Sequence, residues 1–209
     1  MSLIFNNIDK MSFDDLGEES EFIPLMTSED EEALEKENLP EVLPILPLTN
    51  TVLFPGVVIP INAGRDKSIK LINDANKSNK LIGVVAQKDI KIENPSIEDI
   101  FNVGTVAKIL RVLKMPDGNT TVIIQGKKRF KIKSVVKTDP YIQATINSIT
   151  DKNQKKSNSK FTATIDAIKD IALKIIKENP NIPSEASFAI KNIHSSAFLI
   201  NFVCSNMNI

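Results

Sequence analysis

The sequence predicts an α+β protein: a closed or nearly closed antiparallel β-barrel over residues 42–150, followed by a small α-helical subdomain over 161–209. Three observations carry this prediction. From 43 to 149 the apolar residues either alternate with polar ones or come in short continuous runs, the two patterns of a strand. Between the runs, Pro, Gly, Asp and Asn fall at turn spacing. Past residue 160 the apolar period lengthens from 2 to about 3.6, the period of a helix.

The barrel opens with Leu-Pro-Ile-Leu-Pro-Leu at 43–48 and Leu-Phe-Pro-Gly-Val-Val-Ile-Pro-Ile at 53–61. Pro44, Pro47, Pro55 and Pro60 cannot donate to a sheet ladder, so their strands belong at an edge, a bulge or a strand start. The pattern predicts a first pair of short strands joined by a tight turn at Phe54, Pro55 and Gly56. Residues 64–77 predict a helix in which Ile69, Ile72 and Ala75 share the buried face. Arg65, Lys67 and Lys70 lie on its polar side, and Asp66 suits the positive end of the helix dipole. The apolar run 81–86 predicts a strand buried on both faces. Residues 88–102 are polar, with one short helical turn from Ser96.

Residues 103–113 predict a long strand, 120–125 its antiparallel return, and Met115-Pro-Asp-Gly-Asn the turn between them. Gly126 predicts a bulge or bend. The next strand, 127–136, turns Phe130 and Ile132 to one face and Lys131 and Lys133 to the other. Asp139 and Pro140 turn the chain, and 141–149 alternates again. Residues 151–160 form a polar linker. In the helical part Phe161, Ile165, Ile168, Ala172 and Ile175 make one stripe, with Lys169 and Lys174 outside it. Ile193, Ala197, Ile200, Cys204 and Met207 make another, which still runs at Ile209 and reads as a truncation within a helical region.

Charge divides the chain. Residues 1–41 hold thirteen Asp or Glu against two Lys, and the remainder holds twenty-four Lys or Arg against thirteen acidic residues. The formal net charge of zero is therefore the sum of an acidic leader and a basic body. The leader carries too little apolar surface to offset the entropy of ordering it, so it is predicted disordered. It either solvates the chain or lies on the basic body and competes with anionic ligands. No run of eighteen apolar residues exists, which argues against a membrane span. The first residues lack the basic-then-apolar order of a secretory signal. The single cysteine, Cys204, excludes an internal disulfide and fits a reducing compartment, so the expected location is the cytoplasm.

The sequence carries no catalytic constellation. Gly126, Lys127 and Lys128 lack the upstream glycine and the hydroxyl of a phosphate loop. His194 and Cys204 both fall on predicted helix, where a core cysteine and a surface or capping histidine outweigh a nucleophile pair. Two ligands do not make a metal site. No catalytic, nucleotide-binding or metal residue is assigned. Five basic residues in seven, Lys127, Lys128, Arg129, Lys131 and Lys133, read either as a solvated strand face or as a patch for nucleic acid, DNA included.

These segments together resemble a known family. Leu-Pro-Leu from 46, the whole of 53–61, Gly-Arg-Asp-Lys-Ser-Ile from 64, Val-Ala-Gln-Lys from 85, Val-Gly-Thr-Val-Ala-Lys-Ile from 103 and Leu-Lys-Met-Pro-Asp-Gly from 113 are similar, in order and spacing, to the amino-terminal domain of Lon, the ATP-dependent protease. Ile-Pro-Ser-Glu-Ala from 182 and Ile-Asn-Phe-Val-Cys-Ser-Asn from 200 resemble the helices that follow it. The resemblance covers about 43–209 and leaves out the acidic leader.

The resemblance implies that the barrel is PUA-like. It implies a longer parent with an AAA+ ATPase module that uses ATP and Mg and a protease domain with a serine–lysine dyad, assembled as a hexamer. This part would engage unfolded or damaged proteins, including misfolded and short-lived regulatory ones, and would do no chemistry itself. Phe54 and Met115, at turn tips, are candidates for apolar contact with substrate, although Phe54 also fits as a plug for the barrel end. Arg65, Asp66, Lys67 and Lys70 are candidates for substrate or subunit contact. The alternative is a stand-alone PUA-like module that binds nucleic acid or a small ligand.

Overall fold

Six strands in one mixed sheet organise the first part of the chain. The structure, a computed structural model, describes residues 39–114, 120–149, 159–180, 182 and 185–207. The leader to residue 38, Met115 with its turn, and 151–158 of the predicted linker lie outside the described residues.

The strands are β1 (Val42–Leu48), β2 (Val58–Ala63), β3 (Leu81–Ala86), β4 (Val103–Lys114), β5 (Thr120–Lys137) and β6 (Gln143–Ser148). β5 pairs with β4, β4 with β3, β3 with β1 and β1 with β6, and β6 returns to β5. Five strands thus complete a circuit of pairings. β2 stands outside it and, among the described strands, pairs with β5 alone, from Val58↔Gln125 to Ala63↔Thr120.

The expected all-antiparallel order is corrected at one pairing, because β1 runs parallel to β3, from Ile45↔Gly83 to Leu48↔Ala86. The expected first strand pair is corrected too, since β1 and β2 do not pair with each other. One physical cause covers both. The chain between β1 and β3 holds a strand and a helix, long enough to bring β3 back in the same direction. β2 meanwhile leaves for β5.

The helix in that crossover is α1 (Asp66–Lys77), which buries Ser68, Leu71, Ile72 and Ala75 and packs on β1 and β3. Its buried face lies partly round from the predicted one, with Leu71 in and Ile69 only half-buried. Full burial of Leu71 and Ile72 contributes about 1.5–3 kcal/mol each. The amides of Ser78 and Lys80 both donate to the Ala75 carbonyl and end the helix, with Lys80 in the left-handed region at φ 59°.

Phe130 is wholly buried and packs with Leu43, Ile45, Val85, Ile100, Val106 and Ala144. Its ring needs two glycines. A Cβ at Gly83 would lie 3.0 Å from the ring, and one at Gly104 would lie 2.9 Å from it and would also strike the Val84 carbonyl. β5 runs unbroken where the sequence suggests two strands. Its expected irregularity at Gly126 is a register shift, between Thr105↔Arg129 and Ala107↔Gly126.

Contacts divide the chain at residue 150 into two units. The second holds α2 (Ser159–Glu178), α3 (Glu185–Asn192) and α4 (Ser196–Ser205). α2 starts inside the stretch read as linker. Of its predicted stripe only Ile165 is buried, while Ile175 is 54% exposed. Lys169, placed outside by its charge, is half-buried and donates to the Ile193 carbonyl at 2.7 Å. Ser195 caps α4, its hydroxyl accepting the Phe198 amide at 3.0 Å. That cap turns Phe198, Leu199, Asn201 and Phe202 inward, so Ala197 and Ile200 of the predicted stripe face outward. His194 is exposed in the connection before the cap rather than on a helix.

Candidate functional site

The turn after residue 53 is bolted to the sheet by main-chain bonds. Gly56 takes φ 80°, a region open to glycine, and the Val57 amide closes the turn on the Phe54 carbonyl at 3.2 Å. The Gly56 amide donates to the Gly126 carbonyl, and the Gly126 amide donates to the Val57 carbonyl, each at 2.9 Å. The buried Thr105 hydroxyl donates to the Leu53 carbonyl at 2.7 Å. Phe54 is therefore carried on a rigid tip. It is half-buried, and the Arg129 guanidinium carbon lies 5.9 Å from its ring centroid, within cation–π reach. The structure thus joins one residue of the predicted apolar pair to one residue of the predicted basic run.

Arg65 does not lie on the helix. It occupies the position before the first turn, with extended backbone, and makes no side-chain cap bond. Its guanidinium donates to the Gln87 side-chain oxygen at 3.1 Å and reaches the Ile92 carbonyl at 3.4 Å. Gln87 is buried, and its amide nitrogen donates to the Asp89 and Ile92 carbonyls at 2.5 and 2.6 Å. Together the two side chains hold the loop after β3 to the start of α1. The sequence reading missed Gln87. Its signal was a lone polar residue closing an apolar run, next to a polar segment.

Asp66, Lys67 and Lys70 are exposed on α1. Along β5, Lys131 and Lys133 are exposed, while Lys127, Lys128 and Arg129 are half-buried. The run is not one flat row. Lys127 and Lys128 fall in the register shift against β4, and Lys133 falls in another against β6, between Ile132 and Ser134. Bulges re-aim side chains, so the five positions do not follow one strict alternation.

The second unit carries a groove of about 550 Å³ lined by Leu173, Ile176, Pro180, Ile182, Ser187 and Lys191. Among the described residues, no three His, Cys, Asp or Glu side chains gather as a metal site would require. Nor is any described helix long and apolar enough to cross a membrane.

The described part of the chain presents strand edges, a tight turn and exposed charges. Its fold is shared with a solved structure, the N-terminal domain of Mycobacterium avium complex Lon protease. The two are 18% identical with a TM-score of 0.62, over 77% of this chain and 80% of that one. Residues 42–209 match the family described as the ATP-dependent protease La (LON) substrate-binding domain, and the chain belongs to that family. It is 62% identical to the Lon protease of Flavobacterium johnsoniae over 202 residues, covering 97% of this chain and 25% of the relative. It is 52% identical to the Lon protease of Cytophaga hutchinsonii over 188 residues, covering 90% of this chain and 23% of the relative. The chain thus spans about a quarter of the length of the curated relatives it matches.

Proposed function

We propose that this chain is the substrate-engaging end of an ATP-dependent Lon protease that acts in the cytoplasm on misfolded and short-lived regulatory proteins. The observation that carries the reading is the family match over 42–209, together with 62% identity to a Lon protease four times as long. In this reading residues 42–150 act as a PUA-like barrel, supported by the closed circuit of strand pairings. An AAA+ module elsewhere in the parent would use ATP and Mg, a serine–lysine dyad would cut the peptide bond, and six copies would assemble. The present residues would bind and present substrate. A stand-alone nucleic-acid or small-ligand module is not favoured.

The test compares two activities of the full-length parent, with and without residues 42–209. Degradation of a disordered protein such as casein should fall steeply, while cleavage of a short peptide that needs no capture should persist. Undiminished casein degradation would overturn the reading.

A further inference from the structure

We propose that the outer edge of β2 is where an extended polypeptide segment adds as a further strand. The proposal rests on the substrate-binding reading above and gives it a mode. Among the described strands, β2 is the one that pairs with a single neighbour.

The direction of its main-chain groups follows from one bond. The Gly126 amide donates to the Val57 carbonyl, so that carbonyl points toward β5. Successive residues of a strand point their N–H and C=O groups to opposite edges. Ile59, Ile61 and Ala63 therefore bond β5, and Val58, Pro60 and Asn62 direct theirs away from it. The outer edge offers the amides of Val58 and Asn62, about 13 Å apart, and the carbonyls of Val58, Pro60 and Asn62. Among the described residues no main-chain partner takes them.

The side chains fit the same use. Ile59, Ile61 and Ala63 are buried under the sheet, while Val58 and Pro60 are half-buried and Asn62 is exposed. The Asn62 side chain is steadied by the Thr121 hydroxyl, which donates to its oxygen at 2.9 Å. Nothing along this edge demands a particular side chain opposite. Main-chain bonding is indifferent to sequence, which suits a surface that must accept many unfolded proteins.

Pro60 decides between a foreign segment and a second copy of this chain. Against a complete strand the edge can make about five bonds, since Pro60 lacks only its donor. Two β2 strands meeting edge to edge would put two prolines into one short ladder, the arrangement by which natural edges resist self-pairing. The occupant is therefore an extended segment of an unfolded polypeptide.

The experiment titrates the 209-residue chain with a dye-labelled, unstructured ten-residue peptide and reads fluorescence anisotropy. Asn62→Pro deletes one outward amide and no bond to β5; Asn62→Ala controls for the side chain. Asn62→Pro should weaken binding about three- to tenfold, with Asn62→Ala near wild type. A peptide N-methylated at every residue, which has no amide to donate from either edge, should bind weakly to the unaltered chain; this arm stands even if Asn62→Pro fails to fold. Equal binding of methylated and plain peptide would overturn the edge site while leaving the substrate-binding reading intact. No binding of either would overturn both. Self-association that Asn62→Pro abolishes would assign the edge to a second copy and overturn the proposal.

Discussion

The α-carbon of Gly126 lies so close to Phe54 that a Cβ there would strike the Phe54 carbonyl oxygen and sit 2.9 Å from its carbon. The same glycine exchanges main-chain bonds with Gly56 and Val57. A side chain at 126 would have to push the whole turn away from β5, breaking both bonds at once.

Gly126→Ala should therefore destabilise the first unit by about 1–3 kcal/mol, the cost of overpacking a site that cannot give. Gly104→Ala should behave alike, because its Cβ would strike the Val84 carbonyl. Gly64 is the control. A Cβ there meets nothing within 4 Å, so Gly64→Ala should be neutral or stabilise by about 0.4–1 kcal/mol by restricting the unfolded chain. Urea unfolding of the three variants gives the comparison. A loss at Gly64 as large as at Gly126 would contradict the steric account.

Arg65 and Gln87 form a coupled pair. Gln87→Ala removes a buried amide together with its bonds to the Asp89 and Ile92 carbonyls, for a loss of about 1–3 kcal/mol. Arg65→Ala removes the partner on the other side. A double-mutant cycle should show at least about 0.5 kcal/mol of coupling, as groups in one network do. Additive effects would mean that the two side chains act separately.

The role of Arg65 changes how the charged face of α1 is best probed. Reversing Arg65 would disturb the loop it holds, so a loss of activity would be ambiguous. Lys67 and Lys70 are exposed on α1. Lys67→Glu with Lys70→Glu in the full-length parent should leave stability within about 0.5 kcal/mol. If this face meets substrate, casein degradation slows and short-peptide cleavage does not. Unchanged casein turnover would remove both lysines from the binding surface.

Much of the fold was legible because period and turn chemistry are local. The β4–β5 hairpin, the short Ser96 turn and the doubly buried β3 follow from runs of a few residues. What was not legible is pairing between distant segments. Nothing in 43–48 says that its neighbour is 83–86, running parallel, rather than 58–61. The helical stripes slipped for another reason. Apolar residues outnumber the buried positions of α2, so Ile175 matches the period and still faces outward. The candidate binding surface was legible only in part. Exposed lysines on α1 and the Phe54 tip are sequence features, but the open edge of β2 exists only once its pairing with β5 is known.

Two protonation equilibria report on local geometry. The Asp99 carboxylate accepts from the Ser96 hydroxyl at 2.7 Å and the Ser96 amide at 2.8 Å, and these bonds hold its pKa below the ordinary carboxylate value. A lowered folded value means that the cap stabilises above the unfolded carboxylate pKa. Its contribution is lost as pH falls through the folded value, below about pH 4. A carboxyl titration by NMR should place Asp99 below the ordinary aspartate value, and Ser96→Ala should raise it. No change in Ser96→Ala would show that the bonds do not set it.

Tyr141 works in the opposite direction. Its hydroxyl donates to the Asp74 carboxylate at 3.2 Å, linking the β5–β6 connection to α1. Partial burial, and then the Asp74 carboxylate, raise its pKa above the ordinary 10. A raised folded value means that the link is fully present below the unfolded tyrosine pKa and is lost as pH rises through the folded value, above about pH 10. Because the chain has one tyrosine and no tryptophan, an ultraviolet pH titration reads this phenol alone. Its midpoint should lie above that of a free tyrosine. Asp74→Asn should bring it only part of the way back, since burial remains the larger cause. A full return to the free value in Asp74→Asn would show instead that the carboxylate, not burial, governs the phenol.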